Sequence, residues 1–471
     1  MAASLLALSL ATATVADATG LPSFSAAAGA AERAAELERS GQWWAHLGDQ
    51  VYHAPPESSG LSSRAADYYY AFGSEAAITE ELRDRRVGGQ GRLHIFHLPE
   101  GPSVMLQLAS GRGSRRSSLS ALSRLHQGLK VQTEFPAYAA DPGYLNPLDE
   151  AGQALEATAV AGVTSDAVMG YLRHITSFNT RSYENAAASQ AVQQFLLQQF
   201  EGMNYATCLH SFRSNNPGMS AESSRNVVAF VPGAANGSEV VVLGAHYDDI
   251  PPSGSAPGAE DNGSGLAALL AIMRAFRKAD VQPMKSVAFV AFAAEEPGLL
   301  GSEAFVQALL SPTPKSTIPG KCLPQALLSE RVDSALAFLR RQRGSRLRRA
   351  EDFQAIVMDE VGWRSPSLDE ATVNLESYDW TAKVMEQLAQ ASKDHNGASL
   401  KVVHSNHPFG SDHMSFLNRN IPAVLTINGD DEAYPFYHTS KDEITSVDGG
   451  LVAKVAKMNL GGLLRLAGVR T

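Results

Sequence analysis

Residues 240–301 contain Val240-Val-Val-Leu-Gly-Ala-His246-Tyr-Asp248-Asp249, then Gly258-Ala-Glu-Asp261-Asn262-Gly-Ser-Gly265, then Ser286-Val-Ala-Phe-Val-Ala-Phe-Ala-Ala-Glu295-Glu296-Pro-Gly-Leu-Leu-Gly301. An apolar run ends in His-x-Asp, a glycine-rich turn carries an aspartate into an apolar helix, and a second apolar run ends in paired glutamates. The order is strand, loop, helix, strand, with acids and a histidine at the strand ends. In open α/β sheets ligands collect beyond the carboxyl ends of the strands, and the unusual polar residues of this stretch fall there. Side chains alternate along a strand, so His246 and Asp248 share a face, and Asp248 is placed to accept the second ring N–H of a metal-binding His246. Adjacent carboxylates such as Glu295 and Glu296 repel each other unless a cation or a proton lies between them. A pair closing a buried strand therefore suggests a metal-bound acid beside a free base.

The rest of the chain sets bounds on that reading. Its 471 residues exceed one typical domain, and its net charge of −10 disfavours a phosphate-binding surface, so nucleic acid is not expected as a partner. Two cysteines, Cys208 and Cys322, lack the spacing of a zinc or redox motif, and the sequence leaves their pairing open. Residues 1–20 have an apolar stretch followed by small residues, as in a secretion signal, though without a basic start. No later run reaches the ~18 apolar residues that span a bilayer, so secretion or the secretory-pathway lumen is the expected location. Asn236-Gly-Ser fits a glycosylation acceptor in a turn, while Asn262-Gly-Ser lies inside the proposed site and should be shielded.

Residues 21–150 read as a separate α+β unit, a prodomain or accessory domain. An alanine-rich helical stretch runs to about residue 40, with alternating strands at 92–98 and 103–108 and a basic loop at 110–118. Turn signals around Asp141-Pro-Gly place its end between residues 141 and 164, and residues 164–471 read as the catalytic domain. There, helices at 165–178, 186–200, 379–392, 412–417 and from 447 alternate with strands at 226–232, 353–359, 400–403 and 422–427, the strand at 226 being read as the first of the main sheet. The predicted fold is α/β: a mixed, mostly parallel twisted sheet flanked by helices on both faces. Residues 311–352 form an insertion with a basic run, Arg340-Arg341-Gln-Arg343-Gly-Ser-Arg346-Leu-Arg348-Arg349.

His-x-Asp, Asp-Asn-x-Ser-Gly and Ala-Ala-Glu-Glu-x-Gly-Leu-x-Gly-Ser resemble the successive motifs of the di-zinc aminopeptidases of the bacterial leucyl aminopeptidase type, from about residue 164 onward. The resemblance implies a zinc-exopeptidase fold with two zinc ions per chain. It makes Asp261 the bridging ligand, Glu296 and His438 the other ligands of one ion, and His246 and Asp359 those of the second. Glu295 is then the general base, and Asp248 is the catalytic support that orients His246. His438 stands in Tyr434-Pro-Phe-Tyr-His438-Thr-Ser-Lys-Asp442, which resembles the last ligand segment of that family. Ligands without thiolate suit zinc, and manganese or cobalt can occupy the same positions. Glu360, Asp412 and Tyr437 are candidate substrate residues. His404, His407 and His413 are read as supporting or structural.

Two departures from the family pattern bear on substrate choice. The segment Val403-His-Ser-Asn-His-Pro-Phe-Gly410 lacks the cysteine pair and tyrosine of the leucyl enzymes, and Glu360 replaces an apolar methionine. The expected activity is removal of N-terminal residues from peptides with a free N-terminus. The alternatives are a carboxypeptidase, a dipeptidase or a glutaminyl cyclase on the same fold, and a non-catalytic binding homologue. No Gly-x-Ser-x-Gly elbow, His-Glu-x-x-His motif or complete phosphate loop competes with this reading. The sequence leaves the oligomeric state open.

Overall fold

Strand 240–246 is apolar at both odd and even positions, so it buries both faces, and the architecture follows from that. The structure is a computed structural model that describes residues 147–471 except 215, 217, 251–256, 311–349 and 406–409. Before residue 147 it describes parts of the segment 21–131. The expected leader at 1–20, the basic loop, the strand at 103–108, nearly all of the basic insertion, Cys322, His407 and most of the alanine-rich stretch lie outside the described residues.

The main sheet is built from β9 (Ala206–Ser211), β10 (Arg225–Val231), β11 (Asn236–His246), β12 (Lys285–Phe292), β13 (Phe353–Met358), β14 (Thr372–Glu376), β15 (Lys401–Ser405) and β16 (Ala423–Asn428). Their spatial order is β15-β14-β16-β13-β11-β12-β10-β9. Four of the seven pairings are parallel, and β9–β10, β10–β12 and β14–β16 are antiparallel. The mixed, mostly parallel sheet expected from the sequence is present, with β9 preceding the strand that was read as first and β14 added. Both extra strands are short and mix polar with apolar residues, so neither forms an apolar run that stands out from its surroundings.

One face of the sheet carries Val241, Leu243, Ala245, Val287, Phe289 and Ala291 into a core shared with several helices. These are α1 (Glu150–Ala161), α2 (Ser165–Ile175), α3 (Ala186–Gly202), α4 (Gly265–Lys278), α6 (Ala382–Asn396) and α8 (Gly449–Ala467). The opposite face carries Val240, Val242, Ala288, Val290 and Phe292 into a second core with α5 (Leu300–Leu310) and α7 (His413–Leu417). Helix α2 starts at its N-cap Thr164, whose hydroxyl accepts from the Ala167 N–H.

The described residues before 147 form two four-stranded sheets. One holds β1 (Ser23–Ser25), β2 (Trp44–Leu47), β3 (Gln50–His53) and β8 (Leu129–Val131); the other holds β4 (Tyr68–Phe72), β5 (Arg86–Gln90), β6 (Leu93–His97) and β7 (Ser123–Arg124). Among the described residues the unit is β-rich, with helical residues at Arg33, Glu36 and Leu37 and a short helical turn at Glu80–Arg83. Its Trp43, Tyr68, Tyr70 and Ile95 belong to the same buried cluster as the second face of the main sheet.

Candidate metal centre

The candidate side chains converge because each stands just beyond a strand end or at a helix start on the same edge of the sheet. His246 is the last residue of β11, Asp359 follows β13, and Glu295 and Glu296 follow β12 by three and four residues. Asp261 lies in the tight turn that opens α4, and its peptide bond to Asn262 is cis. His438 is in the loop after β16. Ala294, Glu360 and His438 all take positive φ, at 53°, 47° and 55°. Non-glycine residues pay for that conformation, and such strain concentrates at functional sites.

The two oxygens of Asp261 face opposite ways. Its Oδ1 is 3.4 Å from His246 Nε2, which is itself 3.3 Å from Asp359 Oδ1. Its Oδ2 is 3.1 Å from His438 Nε2, which is 3.0 Å from Glu296 Oε2. Three groups of three donors result: His246–Asp261–Asp359 and Asp261–Glu296–His438, which share one carboxylate, and His246–Glu295–Glu296; the donor atoms within each group lie within 4.8 Å of one another. All-imidazole and carboxylate donors at this spacing suit zinc.

Charge makes the same case. Asp248, Asp261, Glu295, Asp359 and Asp412 are all buried, facing two imidazoles. Burial raises the Glu295 carboxyl well above its ordinary value; His246 opposes the rise while Glu296, Asp359 and Asp412 add to it. Burial likewise pushes Glu296 up to about 7 against the pull of His438. Burial also acts to raise Asp261, but hydrogen bonds and charge from His246 and His438 overcome it and hold the group far below the usual range. A buried excess of carboxylates is costly without cations, so the residues present fit a pair of divalent ions.

Asp248 is placed differently from the sequence expectation. His246 Nδ1 lies 3.2 Å from the Asp248 carbonyl oxygen and 3.7 Å from its Oδ1. The carboxylate instead accepts the backbone N–H groups of Glu295 and Glu296, at 3.1 and 3.2 Å. Asp248 thus ties the glutamate pair to the histidine strand. Ser411 Oγ donates to Asp359 Oδ2 at 2.8 Å, leaving Oδ1 turned toward His246.

Asp412 is fully buried; burial pushes it up to about 7, with His246 opposing. Glu360 is also buried, and its carbonyl accepts from the Asn428 backbone and side chain. The Tyr437 ring stacks on His438 at 3.7 Å between centroids. His404 and His413 join none of these donor groups, and burial lowers both, to about 4 and about 3. Asn262 is buried, its amide donating to the Met358 carbonyl, which shields that sequon.

Three supporting groups escaped the sequence reading because a buried charged residue outside a strand or amphipathic helix has no periodic signature. The Asp442 carboxylate accepts the N–H of Glu260 at 2.8 Å and that of Asp261 at 2.9 Å, and it also accepts from the Tyr434 hydroxyl. Glu260 accepts from the N–H of Gly362 and Trp363, and burial raises it to about 8. Arg181 is buried against Asp249 at 3.5 Å and donates to the carbonyls of Tyr247, Pro257 and Gly258.

That last contact explains Gly258, whose φ is +52°; a Cβ there would come 2.6 Å from Arg181 Nη2 and 2.7 Å from the Asp261 carbonyl. Gly258→Ala is expected to cost at least about 1–3 kcal/mol of stability from backbone strain alone. Urea unfolding of the two proteins measures the difference, and an unchanged midpoint would contradict the geometry.

Among relatives, leucine aminopeptidase 1 of Paracoccidioides brasiliensis (strain Pb03) is 29% identical over 177 residues, 36% of this chain and 45% of that protein. The chain thus spans less than half the length of that relative. Leucine aminopeptidase 1 of Ajellomyces capsulatus (strain NAm1 / WU24) is 25% identical over 319 residues, 65% of this chain and 72% of the other. Among solved structures, LapB of Legionella pneumophila superposes with a TM-score of 0.56 at 17% identity, covering 85% of this chain and 99% of its own. The LapA aminopeptidase of the same organism gives 0.54 at 17% identity, covering 85% and 98%. These two likenesses concern the fold. The sequence match that defines the lineage runs over residues 226–462, half of the chain and the segment that holds every ligand candidate, and it places this protein in peptidase family M28.

Proposed function

We propose that the protein is a metal-dependent exopeptidase that removes N-terminal residues from peptides, with two zinc ions held by His246, Asp261, Glu296, Asp359 and His438. The observation that carries this reading is Asp261, whose two oxygens face two different histidine–carboxylate pairs. Such a pair of ions supplies Lewis acidity toward a scissile carbonyl and lowers the pKa of the attacking water. Glu295 is the base: it accepts a proton from the attacking water and returns it to the leaving amine nitrogen. Its raised affinity for a proton, set by burial and neighbouring acids, suits a group that must hold one between the two steps. Asp248 fixes the backbone of the glutamate pair, and Ser411 orients Asp359.

Peptides with free N-termini should be cleaved one residue at a time from that end, and N-acetylated peptides should resist. Release of C-terminal residues from acetylated peptides would overturn the assignment.

Glu360 is proposed to influence the choice of first residue. It follows Asp359 directly and is buried, and by the resemblance it stands where the leucyl enzymes carry an apolar residue. An acidic side chain beside Asp359 would discriminate by charge in favour of the lysine or arginine side chain of a substrate. Glu360→Met is expected to shift the kcat/KM ratio of leucine over lysine substrates toward leucine by roughly 1–3 kcal/mol. An unchanged ratio removes Glu360 from the pocket.

Export fits the chemistry at Cys208, which is disulfide-bonded, a state that persists in oxidising compartments. No helix among the described residues is long and apolar enough to cross a membrane.

A further inference from the structure

We infer that the N-terminal unit remains with the catalytic domain in the working protein, and that Tyr70 is a positioning residue for the metal centre, acting through the segment from Ser411 to Asn418. The main sheet has two apolar faces. One face is covered by six helices. The other is left, among the described residues, to helices of eleven and five residues and to the N-terminal unit. Trp43, Ala45, Tyr68, Tyr70 and Ile95 share a continuous buried cluster there with Val228, Val242, Val290, Phe416 and Ile421. Separating the two parts would open that cluster to water, at roughly 25 cal/mol for each Å² of apolar surface exposed.

Polar chemistry adds a specific link. The Tyr70 hydroxyl is buried and donates to Asn418 Oδ1 at 2.7 Å. Asn418 closes α7, its N–H bonded to the Met414 carbonyl. The helix is pinned on its other sides by the Ser302–Ser415 hydroxyl pair at 2.8 Å and by the edge contact of Phe416 with Phe292. Immediately before the helix stands Ser411, whose hydroxyl orients the Asp359 carboxylate at 2.8 Å. A short rigid helix therefore has the N-terminal unit at one end and a ligand-orienting hydroxyl at the other.

The fold comparison agrees. Residues 147–471 make up about 69% of the chain, whereas the Legionella structures cover 85% of it, so the shared fold extends into the N-terminal unit.

Two measurements test the inference, and neither requires peptidase activity. A specific protease site placed within residues 141–146 of the full-length, zinc-loaded protein allows the connection to be cut after folding. The cut chains should then elute together in gel filtration and keep the zinc content of the intact protein. Separation of the two pieces, with residues 147–471 retaining zinc unaided, overturns the inference.

The second measurement compares Tyr70→Phe with Tyr68→Phe, which removes a hydroxyl bonded within the N-terminal unit, to the Ser62 carbonyl. In competition with a chromophoric chelator, Tyr70→Phe, which removes the bond to Asn418 and the hydroxyl contact with Tyr378, should weaken zinc binding by about three- to tenfold, the usual scale for a lost hydrogen bond. Tyr68→Phe should leave zinc affinity at the wild-type value. Equal affinities in the two variants would show Tyr70 to be merely structural.

Discussion

Glu295→Gln is expected to keep the full zinc content of the wild-type protein while lowering kcat by about 10²–10⁴-fold, the usual contribution of a positioned general base. Glu295 is not a member of the Asp261–Glu296–His438 group, and the amide keeps the volume of the acid. Its backbone N–H still binds Asp248, so the loop that carries Glu296 should hold its shape. Glu296→Gln should behave differently. Its Oε2 lies 3.0 Å from His438 Nε2 within a three-donor group, so loss of the charge should release one zinc ion. Metal analysis of the two purified variants beside their kinetics separates a base from a ligand. Equal zinc loss in both would show that the roles within the pair are wrongly divided.

Asp261→Asn should have the largest effect on the metal centre. The carboxylate is shared by the His246–Asp261–Asp359 and Asp261–Glu296–His438 groups, so with an ion in each its charge would offset two cations at once. An amide keeps one acceptor oxygen and turns an N–H₂ toward the other site, where it repels a cation instead of binding it. Zinc content should fall from two ions to one or none, with activity falling in step, and the thermal stabilisation given by added zinc should shrink accordingly. Retention of two tightly bound ions in Asp261→Asn would remove the bridge from the account.

Much of this site was legible because its residues sit where apolar runs stop. A strand that ends in His246, one followed by Asp359 and one followed by Glu295-Glu296 announce themselves against Val, Ala and Phe, and Asn262-Gly-Ser-Gly marks a turn entering a helix. Strands β9 and β14 were not legible, because Ala206–Ser211 and Thr372–Glu376 are short and mix polar with apolar residues. Arg181, Glu260 and Asp442 escaped notice for another reason. Each acts on backbone groups far away in sequence: Arg181 on the carbonyl of Gly258, Glu260 on the N–H of Trp363, and Asp442 on the N–H of Asp261.

The sequence by itself determined the α/β class, the edge of the sheet where the candidate side chains gather, and residue types suited to metal binding. These depend on local patterns of apolar and polar residues, which are written in consecutive positions. Tertiary structure alone decided that Asp261 turns one oxygen toward each histidine, that Asp248 spends its carboxylate on the glutamate backbone, and that Tyr70 reaches Asn418, 348 residues away. Those outcomes depend on distances between segments remote in the chain, and loop closure and packing, not local preference, set such distances.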